Sequence, residues 1–178
     1  TVLSEGDAAW QAAGKLPSPL AFGASARWND GVLLIGGSGA EGVSAEVLLL
    51  NYSSVESQVT VQPLPALPYG LTHAGAAVLG DTLYVAGGQE SLTAAPAVDN
   101  FWAIDLSQPT PRRQWRTLEP WPGPPRIRPV VAVQDGAVFV MGGWQTSDER
   151  STGRHIEDAY RFTPKQGWTR IANLPAGC

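Results

Sequence analysis

Val32-Leu33-Leu34-Ile35-Gly36-Gly37, Leu83-Tyr84-Val85-Ala86-Gly87-Gly88 and Val138-Phe139-Val140-Met141-Gly142-Gly143 are three copies of one pattern. Each is a β-branched and aromatic run closed by Gly-Gly, and the copies begin their glycine pairs 51 and 55 residues apart. The flanks repeat as well. A turn signal precedes each run: Asn29-Asp30-Gly31, Gly80-Asp81 and Asp135-Gly136. Such loops supply the positive φ angles that a tight hairpin needs. An apolar strand with small residues precedes each turn, over Ala21 to Arg27, Thr72 to Leu79 and Ile127 to Gln134. Each pair predicts a hairpin.

Beyond each Gly-Gly lie a polar loop and a third strand, predicted over Glu46 to Asn51, Asn100 to Leu106 and Ala159 to Thr163. A fourth strand follows, beginning with Trp in Trp115 to Pro120 and Trp168 to Pro175; the copy at Val59 to Pro65 has no Trp. A period near 50 residues, with Gly-Gly, an aromatic on the third strand (Trp102, Tyr160) and Trp on the fourth, is the kelch signature. Gly-Gly ends the inner strand where a side chain would clash. The aromatics fill the wedge between adjacent blades, where outer strands diverge. The fold class is therefore all-β: a kelch-type β-propeller of three four-stranded blades. Residues 18–67, 68–122 and 123–178 are the three repeats. Residues 1–17 hold an extra N-terminal outer strand (Trp10 to Pro17) of an adjoining blade. Propellers close with about 4–8 blades, so three predict half of a six-bladed ring. The chain stops at Ala176-Gly177-Cys178, where another first strand would start. That favours half of a longer polypeptide, with two copies meeting to make six blades as the alternative.

Composition agrees. Charged residues are 16% of the chain, against about 25% in average domains. That suits strands and tight turns with few solvent-facing helices. The 20 Gly and 15 Pro fall between short apolar runs, where turns belong. A formal charge of −4 and pI near 5.1 argue against nucleic-acid binding through clustered Lys and Arg. The densest basic cluster, Arg112, Arg113, Arg116, Arg126 and Arg128, is interrupted by Pro and Trp and reads as a solvated loop. One cysteine, Cys178, builds no disulfide or cysteine metal site within the chain. No 18-residue apolar run predicts a membrane-spanning helix, and residues 1–7 lack a signal-peptide plan.

The chain resembles the sialic-acid mutarotases (N-acetylneuraminate epimerases), in particular a cyclically permuted form. Ala21-Phe22-Gly23 and Trp28 through Gly37 resemble that family's last blade. Leu67-Pro68 through Gly87 resembles its first, and Trp115 through Arg126, on to Gly143, its second. The resemblance implies a six-bladed propeller that interconverts α and β anomers of N-acetylneuraminate, an isomerase without a cofactor, periplasmic or secreted. It also implies a functional Glu in a Gly-Glu motif followed by Pro-Gly-x-Arg. This chain contains no such motif; Gln89-Glu90 after Gly88 is nearest and lacks the Arg. Mutarotation needs a base for the anomeric hydroxyl proton and an acid for the ring oxygen. A cation, preferably Arg, should hold the sugar carboxylate.

Candidate substrate-binding residues are those predicted at the mouth of the central channel. Arg126 and Arg128 enter the first strand of the third repeat; the alternative for Arg126 is a salt bridge between blades. His73 opens the equivalent strand of the second repeat and alternatively serves as a structural donor. Gln89, Glu90 and Trp144 follow Gly-Gly pairs, and Trp144 either stacks on a sugar face or closes its blade's loop. The charged insertion Ser147 to His155 is the longest loop and a candidate cover for a site. No His-x-x-x-His or Cys pair supports a metal, and no phosphate loop or nucleophile elbow is present. Two functions follow: a carbohydrate mutarotase, or a non-catalytic propeller module that binds a protein or glycan. Fold does not choose between them.

Overall fold

The computed structural model describes residue 9 and residues 12–93, 96–146 and 153–176. Its strands are β1 (Ala24–Trp28), β2 (Gly31–Ile35), β3 (Ser38–Gly39), β4 (Gly42–Val43), β5 (Val47–Ser53), β6 (Gln58–Leu64), β7 (Gly75–Leu79), β8 (Thr82–Ala86), β9 (Phe101–Asp105), β10 (Arg116–Thr117), β11 (Val130–Gln134), β12 (Ala137–Met141), β13 (Trp144–Thr146), β14 (Gly153–His155), β15 (Ala159–Thr163) and β16 (Gly167–Ile171). They build three four-stranded antiparallel sheets, β1-β2-β5-β6, β7-β8-β9-β10 and β11-β12-β15-β16. Two small hairpins, β3-β4 and β13-β14, follow the first and third Gly-Gly pairs. No α-helix occurs among the described residues, and no helix is long and apolar enough to cross a membrane.

The innermost strands lie side by side, β7 touching β1 on one flank and β11 on the other. The sheets therefore radiate from a common axis as blades of a propeller. Two cores fill the gaps between them. Leu33, Ile35, Val47 and Leu49 of the first blade meet Leu83, Val85, Trp102 and Ile104 of the second. Tyr84, Phe101 and Ala103 of the second meet Val138, Val140 and Tyr160 of the third. Successive side chains alternate between faces, so the two central strands of the second blade, β8 and β9, feed both cores.

The inner hairpins turn where predicted, with Asn29 at φ 52°, Gly80 at 59°, and Asp135 and Gly136 at 48° and 72°. The glycine pairs repeat one left-handed conformation, φ 59° and 104°, 65° and 105°, and 57° and 94°. A Cβ on Gly36 would collide with the Leu71 carbonyl, and one on Gly87 would lie 2.6 Å from that of Arg126. Only glycine lets the chain end an inner strand this close to the next blade.

The wedge aromatics also tie blades together. Trp115 Nε1 donates to Pro65 O at 3.0 Å, and Trp168 Nε1 donates to Glu119 O at 2.8 Å. The fourth strand of the second blade, Arg116–Thr117, is shorter than Trp115 to Pro120; Leu118 N still reaches Phe101 O at 2.8 Å, and Pro120 has no N–H to carry the pairing further. Residues 12–17, the described part of the expected N-terminal outer strand, form no regular strand. Ala13 O accepts one bond from Val59 N at 2.6 Å, on the outer edge of the first blade; Trp10 lies outside the described residues. The basic cluster is dispersed rather than one patch: Arg113 bonds to Gln108 O and Leu106 O and lies over the Trp28 ring, while Arg126 is interior.

Candidate site at the channel mouth

Each inner strand enters through the same short device. A reciprocal pair of backbone bonds joins Ala21 to Ser38, Thr72 to Gln89, and Ile127 to Trp144, all at 2.7–2.9 Å. The next residue then adopts a left-handed conformation: Phe22 at φ 57°, His73 at 57° and Arg128 at 53°. None is glycine, asparagine or aspartate, and each such residue costs on the order of 1 kcal/mol of backbone strain. The three are joined in series, His73 N donating to Phe22 O at 2.8 Å and Arg128 N to His73 O at 2.7 Å. The three residues consequently form one arc where the inner strands begin.

The arc is an aromatic, an imidazole and a guanidinium in contact. Phe22, 55% exposed, stacks on the His73 ring with centroids 4.7 Å apart. Arg128 is exposed, and its Nη2 lies 3.3 Å from His73 Nε2. An arginine only donates, so Nε2 is the acceptor and carries no proton. The ring proton then sits on Nδ1, 3.3 Å from Thr72 Oγ1, which in turn donates to Phe22 O at 3.3 Å. Every group in this relay has one role. Burial, and then the charge of Arg128, push the His73 pKa below its ordinary value and favour the neutral ring.

The other candidates fare differently. Arg126 is fully buried and is not a rim residue. Its Nη1 bonds to Asp158 Oδ1 at 2.5 Å and to Gly142 O at 3.1 Å, its Nε to Pro124 O at 3.2 Å, and its guanidinium lies over the Trp121 and Tyr160 rings. Here the carboxylate that the guanidinium holds is the protein's own. Tyr160 donates toward Asp158 Oδ2 at 3.1 Å, and burial raises its pKa. Gln89 is buried with its backbone bridged to Thr72 and Ala97, whereas Glu90 is exposed beside it. Trp144 packs its own loop: it meets the His155 ring edge-on at 4.7 Å, and a Cβ on Gly153 would collide with its indole. Of the charged insertion, only Gly153 to His155 lies within the described residues.

Sequence reasoning missed Phe22, although its position before the inner strand matches that of His73 and Arg128. Among the described residues no group of His, Cys, Asp and Glu is arranged to hold a metal. A separate surface cleft at the β3-β4 hairpin carries Glu41 and Glu46, charges that repel an anionic ligand.

A family model described as N-acetylneuraminate epimerase matches residues 64–177, the stretch that carries His73 and Arg128. The chain is 31% identical over 121 residues to a Haemophilus influenzae (strain PittEE) protein named N-acetylneuraminate epimerase, covering 67% of this chain and 30% of that protein. It is 32% identical over 109 residues to the Pasteurella multocida (strain Pm70) protein of the same name, covering 61% and 26%. These matches span less than a third of the length of the curated relatives. The solved structure titled "Structure of YjhT" superposes with a TM-score of 0.70 over 92% of this chain and 54% of that one, at 19% identity. That likeness establishes a shared fold.

Proposed function

This chain belongs to the N-acetylneuraminate epimerase family, and from that premise we propose that it forms part of a mutarotase interconverting the α and β anomers of N-acetylneuraminate. Its own contribution is capture and orientation of the sugar at the arc of Phe22, His73 and Arg128. The observation that carries this reading is an exposed guanidinium held in place by a neutral imidazole next to an exposed aromatic ring. The substrate matches it group for group. Its carboxylate is attached to the anomeric carbon and pairs with Arg128, whose fork fits two oxygens. An apolar edge of the pyranose packs on Phe22.

Ring opening removes the proton from the anomeric hydroxyl, breaks the bond from the anomeric carbon to the ring oxygen, and places a proton on that oxygen. Closure on the opposite face reverses these transfers and yields the other anomer. Holding the carboxylate fixes the anomeric carbon while the ring turns over. The resemblance assigns proton transfer to a Glu in a motif that this chain does not contain, so the residues here supply binding and orientation. A second reading rests on the same exposed guanidinium and aromatic ring: a propeller module that binds an acidic sugar without chemistry.

Proton exchange spectroscopy on freshly dissolved N-acetylneuraminate tests the two. Faster anomer equilibration with the protein, lost in Arg128→Met, supports the mutarotase. Saturable binding with an unchanged rate supports the module. Neither binding nor acceleration, from this chain or from a longer protein containing it, discards both.

A further inference from the structure

The contact between Arg128 and His73 leaves one ring position open to a further proton, and the geometry fixes which. His73 Nδ1 carries a hydrogen directed at Thr72 Oγ1, while Thr72, fully buried, directs its own hydrogen at Phe22 O. The remaining ring nitrogen is Nε2, which lies 3.3 Å from Arg128 Nη2. A charge gained by His73 therefore appears at the guanidinium itself. We infer that the arc takes up a proton together with an anion: a carboxylate bound at Arg128 draws a proton onto His73 Nε2, so capture strengthens as pH falls. For the identity of the anion, this rests on the reading of the arc as an acidic-sugar site.

Two effects keep that proton off the free protein. Burial disfavours the charged ring, and the Arg128 guanidinium repels it. A carboxylate on Arg128 leaves the first effect in place, offsets the second, and adds its own attraction for an imidazolium beside it. Protonation also turns Nε2 from an acceptor into a donor. The guanidinium hydrogen released in this way has the carboxylate as its new acceptor, so no donor is stranded. Among the described residues, Arg128 is the one charged group that acts on His73. The Phe22 ring stacked on its face and the Thr72 hydroxyl at Nδ1 do not titrate in this range. Glu90 and Asp99, in the loop beyond Gly88, act on Tyr69 instead.

Linkage sets the sign and the size. The complex holds the proton more tightly than the free protein does. Affinity for the anion therefore rises as pH falls from above the bound-state pKa to below the free-state value, which itself lies under 6.5. The total gain equals the difference between the two, and a difference of about one pKa unit is a factor of about ten. Reciprocally, the anion changes the proton affinity of His73 by the same factor.

Nuclear magnetic resonance titration of the imidazole signals, with and without saturating N-acetylneuraminate, tests this. The chain has two histidines, and His155→Gln assigns them. The His73 midpoint should rise by about one unit on binding. Affinity should rise several-fold between about pH 7.5 and about pH 5.5, and His73→Gln should abolish that rise. Calorimetry in buffers of different ionisation enthalpy should show net proton uptake within the same window. A His73 midpoint that stays or falls on binding overturns the inference, as does a wild-type affinity that does not strengthen with acid. If no acidic sugar binds at any pH, the sugar reading fails, and acetate, measured against equal chloride, becomes the probe. A His73 midpoint raised by acetate then upholds the proton link, and an unmoved one overturns it.

Discussion

Arg128 and His73, 55 residues apart in the chain, meet through a 3.3 Å contact between Nη2 and Nε2, and that contact assigns a proton to every polar atom of the channel arc. The guanidinium donates, so the imidazole must accept; the imidazole's other nitrogen then donates to Thr72, and Thr72 to the Phe22 carbonyl. A residue from each blade is thus locked by one relay. On the proposed reading His73 is a positioning residue, because it holds Arg128, the group proposed to bind the sugar carboxylate.

Arg128→Met should therefore weaken binding of an acidic sugar by roughly thirtyfold, about 2 kcal/mol for the loss of a charge-assisted pair. Arg128→Lys should recover only part, since an ammonium lacks the planar fork. Both variants should melt close to the wild type, because Arg128 is exposed. Titration calorimetry with N-acetylneuraminate and with a neutral N-acetyl sugar checks this: only the acidic ligand should lose affinity.

Acidity should act on the same relay. The folded-state pKa of His73 lies below its unfolded value of 6.5, chiefly through burial and then through Arg128. The folded state thus binds fewer protons, so the contribution of His73 to stability is whole above pH 6.5 and is lost as pH falls through the depressed value. Protonation also removes the acceptor of Arg128 and sets two cations side by side. Urea melts of the wild type and His73→Gln on both sides of that window should show a pH-dependent gap between them. A gap that stays constant with pH would refute the relay.

Arg126 makes the opposite prediction. It is fully buried and paired to Asp158, whose side chain is 12% exposed. Arg126→Met leaves a mostly buried carboxylate without its cation and frees the carbonyls of Pro124 and Gly142. The expected cost is about 3 kcal/mol, and Arg126→Met with Asp158→Asn should recover part of it. Denaturant midpoints measure this. Acidic-sugar affinity, measured where the variants remain folded, should not change.

The hairpins and outer strands were legible because their signals are local: alternation, Gly-Asp turns and a Gly-Gly stop recur within each copy. Strand ends shifted by a few residues, as in the fourth strand of the second blade, which ends at Thr117 rather than Pro120. The arc was half legible. His73 and Arg128 stand out as polar residues opening inner strands, but Phe22 gave no chemical signal, and phenylalanine rarely adopts a positive φ. Arg126 was unreadable as a rim or core group because its partner, Asp158, lies 32 residues away and is brought in only by the third strand of the blade. Pairings between distant side chains are set by tertiary packing, which no spacing rule encodes.

The repeat also predicts that equivalent residues have equivalent energies. Trp115 and Trp168 occupy the same place in successive blades, and each indole reaches back to a carbonyl of the blade before it, Pro65 O and Glu119 O. Replacement by Phe keeps an aromatic in the wedge and deletes the N–H donor, leaving one carbonyl unpaired in each case. A neutral hydrogen bond is worth about 1 kcal/mol net, and removing part of the larger ring adds a packing loss of similar size. Trp115→Phe and Trp168→Phe should each cost about 2 kcal/mol and, because they act at different blade interfaces, their effects should add in the double variant. Melts of the two single variants and the double variant check this. A loss at one site that exceeds the other severalfold would show that the two copies, alike in sequence and geometry, do not share the same load.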